Sequence, residues 1–211
     1  MVSVREPFAT LQSLGMVHRG HFVYASGQHG EWFVSIAKGE YDASPELLQL
    51  CSLIAEFSQD TIQVVVGAAT GGTTIGRLVA TRLSELLARQ IPFVLLEKIE
   101  EHGILGITQE QGKLLQGKQA LVEDDVLNSG QTIRRIVKLV EWAKGNVAGV
   151  SVVWNRGGLR AQDLLVPWLY APITHQLPSY PVSECSLCAK GIPVNTDMGH
   201  GKEFLAQQAA G

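Results

Sequence analysis

Residues 62–66, 92–96, 120–122 and 147–154 are short apolar runs rich in β-branched side chains, the pattern of strands buried on both faces. Between them the spacing of apolar positions changes. Residues 75–87 read as a helix, and Ile133, Ile136, Val137 and Val140 recur at helical spacing behind the run at 120–122. The order is strand, helix, strand, long excursion, strand, helix, strand. It predicts an α/β fold in which a parallel sheet is covered by helices on both faces, with right-handed crossovers and ligands at the carboxyl ends of the strands.

Upstream, residues 1–20 read as an amphipathic helix whose apolar side carries Phe8, Leu11 and Leu14 and whose end is marked by Gly15. Residues 21–34 are two β-rich runs around Ser26-Gly27, a hairpin pattern. Residues 41–57 predict a helix with Ser44 as its cap and Pro45 at its first position. The glycine-punctuated excursion at 97–117 is long for a compact domain. Alternation at 103–108 and 113–115 predicts a two-stranded flap able to close over a ligand. From Pro167 onward the prolines and cysteines suggest a loosely structured arm. The expectation is a single domain over 1–211, with a hood and lead-in at 1–60, a core at 61–160 and a C-terminal arm at 161–211.

Composition narrows the partners. The chain has 211 residues, 45% hydrophobic and 18% charged, enough to bury a substantial core. A formal charge of −3 makes no electrostatic case for nucleic acid. No apolar run approaches the ~20 residues that span a bilayer, and the start lacks the apolar core of a signal peptide, so a cytoplasmic location is the default expectation. Cys185 and Cys188 form the only CxxC, and Cys51 and His200 are remote from it in sequence. With no second ligand pair at suitable spacing, structural thiols are favoured over a metal site, and a redox role is weaker still.

The chemistry concentrates at 120–132. A buried strand leads into Asp124-Asp125, two apolar residues, Asn128-Ser129-Gly130-Gln131-Thr132, and then a helix. The first amides of a helix have no intrahelical acceptor, so N–H groups, hydroxyls and the positive helix end converge there on an anion such as phosphate. Gly130 lets the backbone approach closely. Paired carboxylates just upstream suit two ribose hydroxyls, directly or through hydrated Mg²⁺. The plainer alternative is that the acids solvate a turn and Ser129 caps a helix. A second glycine-rich loop, Ala69-Thr70-Gly71-Gly72, follows the strand at 62–66 and is a candidate second anion site.

The order acid-acid-apolar-apolar-polar-Ser-Gly-x-Thr after a buried strand resembles the 5-phosphoribosyl 1-diphosphate (PRPP) motif of the type I phosphoribosyltransferases. Further stretches in the right order resemble the orotate phosphoribosyltransferases, especially a bacterial branch with a cysteine-containing tail. They are Gly20-His21-Phe22 with Ser26-Gly27, the Gly67 loop, Glu97-Lys98, His102-Gly103, Asn155-Arg156-Gly157-Gly158, and Cys185-Ser186-Leu187-Cys188 with Gly191-Ile192-Pro193. The resemblance implies transfer of ribose 5-phosphate from PRPP to a nitrogenous base, orotate, with release of diphosphate and help from Mg²⁺, in a homodimer. By the same resemblance Asp124 and Asp125 hold the ribose and its Mg²⁺, Asn128 to Thr132 wrap the 5′-phosphate, and Ala69 to Gly72 meet the diphosphate. His102 and Lys98 then act from the flap, and Arg156 with Ser26 and Gly27 receives the base. Three positions depart from the family pattern: Ala25, Thr70 and Glu100 stand where it carries lysines. Those losses support an alternative, a catalytically weak PRPP- or nucleotide-binding regulatory relative.

Overall fold

The computed structural model describes residues 7–13, 15–24, 26–35, 45–58, 61–68, 72–99, 104–174 and 176–209. In chain order the elements are α1 (Pro7–Ser13), β1 (Val17–Val23), β2 (His29–Val34), α2 (Pro45–Ser58), β3 (Val64–Ala68), α3 (Gly72–Leu86), β4 (Phe93–Leu96), β5 (Lys98–Ile99), β6 (Ile104–Leu105) and α4 (Gln109–Leu115). There follow β7 (Gln119–Leu127), α5 (Gln131–Trp142), β8 (Asn146–Asn155), α6 (Ala161–Leu164), β9 (Leu169–Tyr170), α7 (Ser186–Ala189) and α8 (Gly201–Ala209). They fall into two compact units, one made of residues 1–35 with 176–211 and the other of residues 36–175.

The larger unit is built on a five-stranded parallel sheet in the order β4-β3-β7-β8-β9. Every residue of β3 is buried, as its unbroken apolar run requires of a strand covered on both faces. Ile133, Ile136, Val137 and Val140 form the buried stripe of α5 and pack with Ala120 and Val122 of β7 and Val150 and Val152 of β8. Because strand side chains alternate, Leu121 and Glu123 face the opposite way from Val122. On that side lies Cys51 of α2, whose thiol is pushed far up by burial and then by nearby Glu123.

Three expectations need correction. The first helix, described over Pro7–Ser13, ends well before residue 20, and residues 1–6 of the expected span lie outside the described residues. Gly15, at φ +66°, turns the chain, its N–H donating to Gln12 O at 3.0 Å, and Val17 already starts a strand. The strand at 120–122 runs instead from Gln119 to Leu127, so Asp124 and Asp125 sit in the strand itself, with Asp124 opposite Val152 and Val126 opposite Trp154. The excursion does contain a two-stranded ribbon, but β5 pairs with β6, and residues 113–115 are helical. A capping box decides this: Thr108 Oγ1 accepts from Gln111 N at 3.2 Å and Gln111 Oε1 from Thr108 N at 2.8 Å. Gln111 Nε2 also donates to Leu95 O at 2.7 Å, which fastens the start of α4 to the end of β4.

In the smaller unit, β1 and β2 form an antiparallel hairpin, and His29 bridges to Tyr180. The C-terminal segment is more ordered than a loose arm. Asn195 N donates to His21 O at 2.7 Å, His200 N donates to Val23 O at 2.9 Å, and α8 packs beside β1.

Candidate active site

The sheet ends its central strand on acids. Asp124 is 9% exposed and Asp125 partly buried, at the carboxyl end of β7. Asp124 Oδ1 accepts from Asp125 N at 2.9 Å and Asp125 Oδ1 from Val126 N at 2.7 Å, so the backbone orients both carboxyls. Burial, and then the charge of Asp125, raises Asp124 well above the ordinary carboxylate range; burial raises Asp125 as well. Two adjacent hard oxygen donors strained in this way suit a hydrated Mg²⁺ or a pair of hydroxyls, either of which offsets the cost of ionising them.

Immediately beyond, the chain turns into α5. Gly130 is the N-cap, at φ +75° in the left-handed region, and no side chain caps the helix. Asn128, Ser129, Gln131 and Thr132 are exposed, so the leading amides and hydroxyls of α5 face solvent. Arg134 braces this turn from behind: Nη1 donates to Ser129 O at 2.8 Å, while Nε and Nη2 donate to Asp163 O at 3.2 and 3.1 Å.

Two neighbouring loops close on the same point. Gly67 and Gly72 bracket the loop between β3 and α3, and a Cβ on either would stand 3.3 and 3.0 Å from the Glu123 carbonyl. The start of α3 therefore lies against the backbone of β7 beside Asp124, an approach that any side chain larger than glycine's would crowd. Gly72 is thus brought to the acids, while Ala69, Thr70 and Gly71 lie outside the described residues. On the other side Gly157 N donates to Leu127 O at 2.9 Å, and a Cβ there would collide with the Asn128 carbonyl. Asn155 holds that turn, accepting from Leu159 N at 3.1 Å and donating to Leu159 O at 2.7 Å. Arg156 is carried by this turn, next to the loop at 128–130.

Other expected site residues are placed elsewhere or not at all. His102 lies outside the described residues, and Lys98 is placed only by its backbone, opposite Leu105 in the β5–β6 ribbon. Ser26 and Gly27 belong to the hairpin turn of the smaller unit, with Gly27 N donating to Tyr24 O at 2.9 Å. One feature escaped the sequence. Glu123 is fully buried beside Asp124, takes a short hydrogen bond from the Ser151 hydroxyl, and burial raises it well above the usual carboxylate range. Its signal was the third acid in the run Glu123-Asp124-Asp125, one more than the motif uses.

The phosphoribosyl transferase domain family matches residues 38–171, which take in the whole sheet and both loops. The chain belongs to the phosphoribosyltransferase family. An orotate phosphoribosyltransferase of Caldicellulosiruptor bescii is 32% identical over 177 residues, 83% of this chain and 86% of the relative. One from Thermoanaerobacter sp. is 28% identical over 190 residues, 90% and 94% of the two chains. Among solved structures, the orotate phosphoribosyltransferase of Aeropyrum pernix aligns with a TM-score of 0.63 at 23% identity, over 79% of this chain and 92% of that one. The fold is accordingly that of the type I phosphoribosyltransferases. In this phosphoribosyltransferase the paired acids, the α5 start and the α3 start occupy one end of the parallel sheet, where open α/β sheets take their ligands.

Proposed function

We propose that the protein transfers the ribose 5-phosphate of PRPP to the ring nitrogen of orotate, releasing diphosphate and forming orotidine 5′-phosphate for pyrimidine nucleotide synthesis. The observation that carries this reading is the junction of β7 and α5, where backbone-oriented Asp124, buried, and Asp125, partly buried, precede a helix start left without a side-chain cap. Residues 128–132 take the 5′-phosphate, the two acids position the ribose hydroxyls, and the loop ending at Gly72 faces the diphosphate. Arg156 pairs with the orotate carboxylate through the planar fork of its guanidinium. Lys98 and His102 meet the diphosphate from the flap.

Mg²⁺, held by Asp124 and Asp125 mostly through water or substrate, neutralises part of the PRPP charge when bound. The site is shared in a cytoplasmic homodimer; sedimentation as a monomer at micromolar concentration would count against that assembly. The names of the relatives, orotate phosphoribosyltransferases over most of their length, support the choice of base.

A second reading, a PRPP-binding regulatory relative with weak catalysis, draws on Glu100 and Thr70, where the resemblance calls for cations. One assay separates the two. With PRPP, Mg²⁺ and a panel of bases, diphosphate release is expected with orotate and not with adenine. PRPP binding without release on any base supports the regulatory reading, and preferred release with adenine overturns orotate as acceptor.

A further inference from the structure

Outside the transferase site, one cluster of side chains has chemistry that nothing so far uses. His21 of β1, His29 of β2, Cys185 and Cys188 bring one ligand atom each to within 4.8 Å of one another, and all but Cys188 are buried. All four belong to the smaller unit. We propose that they form a structural zinc site of the Cys₂His₂ type that fastens the C-terminal segment to the N-terminal hairpin.

The distances fit a tetrahedron. With Zn–S near 2.3 Å and Zn–N near 2.0–2.1 Å, tetrahedral geometry sets sulfur and nitrogen ligands about 3.6 Å apart and two nitrogens about 3.3 Å apart. Here His21 Nε2 lies 3.6 Å from Cys185 Sγ and 3.6 Å from Cys188 Sγ, and His29 Nδ1 lies 3.4 Å from Cys188 Sγ. His21 Nε2 and His29 Nδ1 are 2.8 Å apart, so an ion between them needs them to separate by only about half an ångström.

At His21 the outer contact agrees. His21 Nδ1 stands 2.7 Å from the Ile192 carbonyl, a bond only an N–H can make, which leaves Nε2 as a bare lone pair aimed at the cluster. A carbonyl fixing the tautomer of a ligating histidine is the usual second layer of a zinc site. Both thiols are free of disulfides. Two thiolates and two imidazoles make a closed set with no position for substrate, which marks a structural site rather than a catalytic one.

Physical need points the same way. A unit of roughly 70 residues, drawn from two ends of the chain, buries too little to be secure on core packing alone, and a metal is a common supplement at that size. The spacing also explains why the sequence concealed the site. Cys185-x-x-Cys188 supplies one half, but the other half is a pair of hairpin histidines eight positions apart, of which His21 lies 164 residues before Cys185.

The test uses the full chain. Protein purified without chelator is expected to hold a single zinc ion per chain by elemental analysis. After removal of the metal, addition of Co²⁺ is expected to produce tetrahedral ligand-field bands together with a thiolate-to-cobalt charge-transfer band. C185S and C188S, and the pair together, are expected to lose that band.

In the unsubstituted protein a chelator is expected to open Cys185 and Cys188 to a thiol reagent while Cys51, buried in the other unit, stays protected. This last readout holds even if the variants fail to fold. Only traces of zinc after incubation with excess zinc, cobalt bands without the thiolate transition, or identical labelling with and without chelator would each overturn the proposal.

Discussion

Gly130→Ala tests the turn on which the proposed phosphate loop depends. Gly130 sits at φ +75°, a conformation that costs an L-residue roughly 1–2 kcal/mol. The added methyl also has neighbours: its carbon would stand 2.7 Å from Leu164 Cδ2, 3.0 Å from Leu159 Cδ1 and 3.2 Å from Arg134 Nη1. These are the tips of side chains and can give way, which places the packing cost near the lower end of the ~1–3 kcal/mol typical of overfilled sites. Leu164 is 1% exposed and cannot swing into water, and Arg134 is tied to Ser129 and Asp163, so the cost does not vanish.

The sum is about 2–3 kcal/mol of lost stability, read as a lower urea midpoint at unchanged slope. PRPP affinity is expected to fall with it, because relief of the contact moves the amides at 129–132. A loss below about 1 kcal/mol with undiminished PRPP affinity would refute both the strain assignment and the role of the loop.

Three further outcomes follow from the site and its surroundings. For the paired acids, the folded carboxyls sit above their unfolded values; that contribution is fully present below the ordinary carboxylate range and is lost as pH rises through the raised values, by up to about 1.4 kcal/mol per pH unit for each group. Asp124→Asn with Asp125→Asn is therefore expected to gain stability over the unsubstituted protein on going from acid to neutral pH in urea titrations, while PRPP turnover collapses; a parallel pH profile or unchanged turnover would refute this. Arg156→Ala is expected to lower orotate turnover more than about tenfold, from roughly 1.5–3 kcal/mol per charge-assisted hydrogen bond, with PRPP affinity nearly unchanged in calorimetry; undiminished orotate turnover removes Arg156 from the base site. Thr108→Ala is expected to cost about 0.5–2 kcal/mol at the start of α4, seen as faster amide exchange over residues 111–115 by mass spectrometry, and equal exchange would show that the cap contributes nothing.

The sheet was legible because its central strands are nearly pure apolar runs, and residues 64–66 or 150–153 have no other plausible place than a covered parallel sheet. The turn into α5 was legible because a Ser-Gly pair between a buried run and a helical stripe marks a helix start. What stayed hidden depended on pairing partners far away. Nothing local says that Asp124, Asp125 and Val126 continue a strand; that follows from the ladder with Val152 and Trp154. The helix α4 was misread for another reason. Lys113-Leu114-Leu115 alternates too briefly to distinguish strand from helix, while the reciprocal Thr108–Gln111 cap was readable in the sequence and outweighs it. His21 and His29 looked like ordinary hairpin residues until the fold set the two cysteines beside them.

The smaller unit is drawn from two separate stretches of the sequence, one before the larger unit and one after it. On the ribosome this sets an order of events. His21 leaves the exit tunnel 164 residues ahead of Cys185, which at ~5–20 residues per second is a wait of about 8–30 s. During that interval the parallel sheet can be completed, whereas the hairpin waits without Tyr180, with which His29 exchanges backbone hydrogen bonds, and without the Asn195 and His200 amides that donate to it. A message cut short after β9 thus yields an assembled sheet carrying an orphaned hairpin, a ready substrate for chaperones and proteases.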